Sequence, residues 1–259
     1  MLLKDKVAIV SGIGPDMGRD ISVALAREGA DVVLAARSHG NLGPVAKDVE
    51  ALGRKAVAVA TDISKAEDCA RMVDTAIKEL GRIDILVNNA FKGGVEPRIE
   101  EATMDQWREI FDVNVFGSMQ LSQAVLPHMK KQGGGSIVFI NSMSMRVIEP
   151  GMGGYAASKG ALMIAAQTLA KEVGKHKIRV NSVVPGYIWS EKLAGYFRYL
   201  AKRQNRTYDE VQDEISARTA LHHIPTSEEI ADAVLFFASD LSRAITGQAL
   251  DVNGGHFFH

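Results

Sequence analysis

Short runs of β-branched and apolar residues recur along this chain and alternate with stretches whose apolar positions fall at helical spacing. The runs are VAIVSG, DVVLAAR, AVAVATD, IDILVNNA, SIVFINS, IRVNSVVP and ALDVN. Each of the first six is followed by a segment able to form a helix. That rhythm predicts right-handed strand-helix-strand crossovers building a seven-stranded parallel sheet with helices on both faces, a doubly wound α/β architecture. The runs are apolar throughout rather than alternating, as expected for strands covered on both sides. Connections are short and no repeat or low-complexity segment interrupts them, so residues 1–259 are expected to form one domain. From Glu191 to His223 the rhythm breaks into two helical pieces. An insertion after the sixth strand, at its carboxyl end, is where a substrate lid belongs.

Helix boundaries are marked locally. Thr103 with Gln106, and Thr226 with Glu229, have the spacing of capping boxes. The first of these predicts a long helix carrying Trp107, Ile110 and Phe111 and, in its middle, Asn114, an amide that needs partners if buried. An alanine-rich helix is expected from about Tyr155 to Gly174; its small residues suit close approach of another helix, in this chain or in a second copy.

Composition narrows the class. The chain of 259 residues is 46% hydrophobic and 24% charged, with formal net charge -1 and a pI near 6.7. Near-zero net charge argues against bulk nucleic-acid binding. No apolar run approaches the ~18 residues of a membrane span, and the start, MLLKDKVAIVSG, leads into a strand and a glycine turn, so a cytoplasmic location and no membrane partner are expected. Cys69 is the sole cysteine, which excludes an internal disulfide and reads as a packed thiol. His222, His223, His256 and His259 lack the carboxylate pattern of a metal site, and no metal is expected.

Candidate chemistry sits at strand ends. Tyr155 and Lys159 are four residues apart at the start of a helix, hence on one face about one turn apart. An ammonium there favours the phenolate, lowering the phenol from its usual value near ~10 toward neutrality, where it can trade protons. Ser142 closes the fifth strand and can converge with Tyr155 on one substrate oxygen. Taken alone, the Tyr-Lys spacing fits equally a surface tyrosine stacked on a lysine stem. The turn Ser11-Gly-Ile-Gly-Pro-Asp-Met-Gly18 joins first strand to first helix, where Gly12, Gly14 and Gly18 let backbone amides and the helix terminus approach a pyrophosphate, or simply make a tight turn. Strictly, Met17 stands where the last glycine of a G-x-G-x-x-G pattern belongs.

Arg37 ends the second strand with no carboxylate nearby. It can pair with a ribose 2'-phosphate, which favours NADP over NAD, or be solvated. Asp62, after the third strand, can accept from an adenine amino group, cap the next helix, or both. Asn89, at the end of the fourth strand, can tie neighbouring backbones together or line a cofactor cleft. Trp189, Leu193, Tyr196, Phe197, Tyr199 and Leu200 give the lid segment an apolar, aromatic character suited to a bulky substrate, or to packing the lid on the body. Arg198, Lys202, Arg203 and Arg206 form either a solvated basic face or a patch for an anionic carrier. Phe257 and Phe258 in the tail are expected to dock on a neighbouring subunit.

These pieces, in this order, resemble the short-chain dehydrogenase/reductase family over nearly the whole chain: the glycine turn, Asp62, Asn88-Asn89-Ala90, Asn114, Ser142, Tyr155 with Lys159, Arg179-Val-Asn-Ser-Val-Val-Pro-Gly186 leading to Ser190, and the final Asn-Gly-Gly. The resemblance implies a Rossmann fold and hydride transfer between a nicotinamide cofactor, NADP or NAD, and a carbonyl or secondary alcohol. It implies Tyr155 as general acid/base, Lys159 as the group that lowers its pKa and holds the nicotinamide ribose, Ser142 as the residue that orients the substrate oxygen, and Asn114 as holder of a relay water. Cofactor contacts are implied for Gly12, Gly14, Met17, Gly18, Arg37, Asp62, Ile63, Asn89, Ala90, Tyr155, Lys159, Pro185, Gly186, Ile188 and Ser190. A homotetramer built on paired long helices is the implied assembly.

Three residues depart from the family pattern, the first being Ser11, which stands where the family's glycine turn begins with threonine. Asp16 brings a carboxylate to a position near a pyrophosphate, unfavourable unless it points away or pairs, for instance with Arg19. Phe91 replaces the glycine that normally follows Asn-Asn-Ala. The principal expectation is an NADP-linked reductase or dehydrogenase acting on a bulky, largely apolar carbonyl or alcohol. Two alternatives stand beside it: reduction of a 3-oxoacyl thioester on an acyl carrier protein, and a catalytically silent nucleotide-binding regulator or partner subunit.

Overall fold

The computed structural model describes residues 1–93 and 96–258, so His259 of the expected docking tail lies outside the described residues. All seven expected strands form: β1 (Val7–Ser11), β2 (Asp31–Ala36), β3 (Ala56–Ala60), β4 (Ile85–Asn88), β5 (Gly135–Ile140), β6 (Ile178–Pro185) and β7 (Ala249–Val252). They pair in parallel in the order β3-β2-β1-β4-β5-β6-β7. Register is set at the centre by Ala8 opposite Ile85 and Val10 opposite Val87, and farther out by Ile85 opposite Ser136.

The helices are α1 (Met17–Arg27), α2 (Leu42–Ala51), α3 (Ala66–Leu80), α4 (Met104–Phe111), α5 (Ser118–Gln132), α6 (Gly153–Val173), α7 (Glu191–Gln204), α8 (Tyr208–Ser216) and α9 (Ser227–Ala238). Both expected capping boxes are present, on α4 and α9, and a third, Thr207 with Glu210, opens α8.

Strand side chains alternate between two cores, which is why the strands read as continuously apolar. Ala8, Val10, Val32, Leu34, Ile85, Val87, Val138 and Ile140 face the layer of α1, α2 and α9. Ile9, Val33, Ala35, Leu86, Ile137 and Phe139 face the layer of α3, α5 and α6. Period-two alternation with both faces buried leaves no polar positions to mark the strand. Cys69 belongs to the second core; its thiol donates to the Ile63 carbonyl, and burial pushes its pKa up to about 11.

The strand order reverses direction between β1 and β4, and a crevice opens at the carboxyl ends of the strands there. Between α4 and α5, Asp112–Gly117 forms a π-helical segment, a local widening of the kind that recurs at functional sites. Among the described residues no helix is long and apolar enough to cross a membrane.

Candidate functional site

The crevice is built first by backbone contacts between the ends of β1 and β4. The fully buried Ser11 hydroxyl accepts from the amides of Asn89 (3.1 Å) and Ala90 (3.2 Å) and donates to the Val87 carbonyl. Asn89 Nδ2 donates to the Gly12 carbonyl at 2.8 Å, the tie expected of it. Two glycines are required by this close approach. Gly12 has φ +75°, and a Cβ there would lie 2.5 Å from Ala90 Cα; a Cβ on Gly18 would lie 2.5 Å from the Gly12 carbonyl oxygen. Gly14 faces open space.

A cleft of about 260 Å³ runs along these strand ends, and Gly12, Arg37, Asp62, Ile63, Asn89 and Ala90 all border it. Ser38, Asn41 and Lys92 border it as well; nothing in their spacing had marked them. The other expected cofactor residues lie off this cleft. Met17 packs against the core beside α1, and Ile188 packs against the same core. Pro185 ends β6, Gly186 donates its amide to the Val252 carbonyl, and Ser190 caps α7 by accepting from the Leu193 amide. Arg37 is exposed, and among the described residues no carboxylate pairs with it. Asp62 accepts from the amide and hydroxyl of Ser64, so it shapes the turn before α3 rather than capping the helix, whose N-cap is Lys65. Asp16 is exposed at the start of α1; Arg19 is not its partner, because that guanidinium is held by Asp48 and Asp20.

Ser142, Tyr155 and Lys159 come together beside β5. Lys159 Nζ lies 5.6 Å from the Tyr155 ring centroid and donates to the Ile140 carbonyl at 2.8 Å. Ser142 follows β5 in extended conformation; its hydroxyl accepts from the Ser144 amide and is hydrogen-bonded to the Tyr155 phenol. Asn114, wholly buried in the π-helical segment, accepts from the Lys92 amide (2.7 Å) and donates to the Lys92 carbonyl and the Ser158 hydroxyl (2.9 Å each). The Ser158 hydroxyl in turn donates to the Tyr155 carbonyl. Asn114 thereby ties the chain after β4 to the first turns of α6, and both amide hydrogens are committed.

The electrostatics correct one expectation. The phenol of Tyr155 is held above its ordinary value, not below it: burial outweighs the opposing hydrogen bond from Ser142, and Glu96 adds to the rise. Lys159 is only 3% exposed, and burial lowers its pKa to about 7, so at neutral pH it carries a fraction of the charge that was to stabilise a phenolate.

Glu96 carries no motif, and its role is visible only in three dimensions. Its carboxylate accepts from the amides of Gly154 (2.8 Å) and Tyr155 (3.0 Å), the first turn of α6. Phe91, 55% exposed, sets its ring edge-on to Tyr155 at 6.3 Å.

The lid packs on itself. Phe197 is fully buried with Ala201, Val211, Ile215 and Ile224, and Trp189, Leu193, Leu200 and Tyr208 close around them; Tyr196 and Tyr199 remain exposed. The basic run is largely occupied: Arg198 reaches Glu191 and the Tyr208 ring, Arg203 the Tyr199 hydroxyl, and Arg206 Glu214. His223 pairs with Glu229, and among the described residues no group of three or more His, Cys, Asp and Glu side chains could hold a metal ion. His256 stacks at a tilt on Tyr187, while Phe258 is exposed.

A family model described as enoyl-(acyl carrier protein) reductase matches residues 11–256. The chain is 33% identical to the 7alpha-hydroxysteroid dehydrogenase of Escherichia coli, with 98% of this chain and 94% of that protein covered. It is also 33% identical to the 3-oxoacyl-[acyl-carrier-protein] reductase FabG of Thermotoga maritima, covering 98% of this chain and 99% of the relative. A solved structure of 7 alpha-hydroxysteroid dehydrogenase complexed with NADH and 7-oxo glycochenodeoxycholic acid superposes with a TM-score of 0.88 at 34% identity, covering 98% of this chain and 94% of that one.

Proposed function

This chain belongs to the short-chain dehydrogenase/reductase family and is an oxidoreductase, and from that premise we propose that it interconverts a ketone and a secondary alcohol on a bulky, largely apolar substrate, with NADP as the preferred cofactor and NAD as the alternative. The observation that carries the reading is the convergence of Ser142, Tyr155 and Lys159 at the carboxyl edge of the sheet, near the cleft that Gly12 borders.

The residues present fit a dinucleotide. Gly12 lets the chain approach where any side chain would collide, and Asn89 Oδ1 is buried beside the cleft with no partner among the described residues. Gly12, Gly14, Gly18 and the amide of Met17 would hold the pyrophosphate, Asp62 and Ile63 the adenine end, and Asn89, Ala90, Pro185, Gly186, Ile188 and Ser190 the nicotinamide half. Arg37, at the cleft rim with no carboxylate partner among the described residues, would take a 2'-phosphate. A bound nicotinamide supplies or accepts the hydride.

Tyr155 handles the proton. A phenol held above its ordinary value is protonated at neutral pH, which suits donation to a carbonyl oxygen and hence the reductive direction. Ser142 would orient that oxygen by hydrogen bonding, and Lys159, one turn along α6, would supply positive charge as the phenolate forms. Asn114 would contribute by fixing Tyr155 through Ser158 and by holding a relay water. We further infer a single domain with residues 191–223 as its lid, a cytoplasmic location, and a homotetramer assembled partly through α6, whose Ile164 is 64% exposed.

The likeness to FabG supports a second reading, reduction of a 3-oxoacyl thioester on an acyl carrier protein. The pairing of Arg198 and Arg206 within the lid weighs against a carrier patch there. Titration with NADPH and separately NADH, followed by nicotinamide fluorescence, and then a panel of bulky ketones and of free and carrier-bound 3-oxoacyl thioesters, tests both. Oxidation of the tighter cofactor on a bulky ketone supports the first reading; turnover of carrier thioesters alone supports the second. Absence of binding by either cofactor would overturn both and favour a silent partner subunit.

A further inference from the structure

The segment after β4 is fastened at both ends to the elements that carry the reactive side chains. At its start, the amide and carbonyl of Lys92 are both bound by Asn114. At its far end, Glu96 donates its amide to the Gly151 carbonyl, and its carboxylate accepts from the amides of Gly154 and Tyr155. Next to the first anchor, Gly93 lies so close to the phenol ring that a Cβ on it would be 2.7 Å from Tyr155 Cδ2. Contact is equally close at the helix: a Cβ on Gly154 would lie 2.9 Å from Glu96 Oε2.

The geometry points to Glu96 as a positioning residue for Tyr155: by capping α6 from a distant part of the chain, it fixes the orientation of the first helical turn, which carries the phenol. The proposal deepens the oxidoreductase reading above and rests on it for its kinetic arm. Tyr155 lies in the first turn of α6, where orphan amides have no helical partner and the backbone frays unless capped. Met152, the N-cap residue, makes no side-chain cap. A carboxylate taking two of those amides meets the positive end of the helix dipole as well as its unsatisfied donors.

A second consequence is electrostatic. The groups facing the phenol are the neutral hydroxyl of Ser142 from the end of β5, the Lys159 ammonium from α6, and Glu96 from the segment after β4. Lys92, on that same segment, is paired with Glu109 of α4. The negative charge of Glu96 therefore opposes ionisation of Tyr155.

The test uses the full chain with Glu96→Gln and Glu96→Ala. Tyr155 ionisation is read by phenolate absorbance as a difference against Tyr155→Phe, without substrate, while turnover and cofactor Kd are measured in parallel. The expected result is a Tyr155 midpoint lower by about half a pH unit or more in Glu96→Gln, where charge is lost and shape kept. In Glu96→Ala, kcat should fall about tenfold while cofactor Kd moves less than about threefold, and Glu96→Gln, retaining one acceptor, should recover part of that loss. A purely structural cap would lower the melting temperature and leave the phenol midpoint where it was; that outcome, or a kcat within about twofold of wild type in Glu96→Ala, overturns the proposal. If the wild-type protein turns over no ketone or thioester, the functional reading falls, and the absorbance titration still decides the role of Glu96.

Discussion

Lys159→Met removes the most thoroughly buried charge of the site and tests whether that charge is as desolvated as its surroundings dictate. Nζ has one described hydrogen bond, to the Ile140 carbonyl, and the side chain is 3% exposed. Burial lowers its pKa from 10.5 to about 7. In the unfolded chain the amine stays protonated to about pH 10.4, so between pH 7 and that value the unfolded state binds more protons than the folded one. Folding stability from this group therefore rises with pH across that window and is flat below it. Integrated from pH 7 to pH 9, the rise is about 2 kcal/mol. Of the other displaced groups, His256 is lowered from 6.5 by burial and the raised phenols of Tyr155 and Tyr187 titrate above the window; Cys69, at about 11 folded and about 8.5 unfolded, removes stability toward pH 9 equally in wild type and variant, so the difference between the two curves isolates Lys159. Methionine keeps most of the volume and has no charge, so relative to wild type its curve should lack the Lys159 rise, although the Ile140 carbonyl loses its donor at a cost of about 1–3 kcal/mol. The assay is urea unfolding of wild type and variant without cofactor at pH 7, 8 and 9, at fixed protein concentration. The wild type should gain about 2 kcal/mol more than the variant over this range. Parallel curves would mean that Nζ reaches water, and the burial argument would be refuted.

Three further outcomes follow from the same site. Tyr155→Phe should lower turnover by about 10²–10⁴-fold with cofactor Kd nearly unchanged, since only the proton donor goes; near-normal turnover in steady-state assays would remove Tyr155 from its role. Arg37→Asp should swing the NADPH to NADH preference toward NADH, because a carboxylate can accept from a 2'-hydroxyl and repels a 2'-phosphate; an unchanged ratio of Kd values would mean that Arg37 is merely solvated. Gly12→Ala must place a methyl group against the Ala90 backbone at φ +75°, and should destabilise the fold by about 1–3 kcal/mol and abolish cofactor binding, both read by thermal unfolding with and without cofactor.

The sheet was legible because its signal is local. Apolar runs of strand length separated by helix-forming segments admit few arrangements, and Thr103 with Gln106 and Thr226 with Glu229 marked helix starts by short-range hydrogen bonds that recur in the structure. Phe197 is the counterexample within the lid: residue type read it as substrate surface or as packing with equal ease, and only the fold spends it in the lid's own core. Arg198, Arg203 and Arg206 behave similarly, a basic stripe in sequence and a set of occupied pairs in space.

By itself the sequence determined the seven strands and their succession along the chain, the doubly wound class, and the juxtaposition of Tyr155 with Lys159, because a four-residue spacing on a helix needs no tertiary information. It could not determine the protonation of that pair, since pKa depends on how deeply the fold buries the phenol and the ammonium, and burial reversed the direction that proximity alone suggested. Nor could it reveal Glu96. That carboxylate meets Tyr155 across 59 residues of chain, and a contact of that range exists only after the crossover from β4 and the π-helical segment bring the two backbones together.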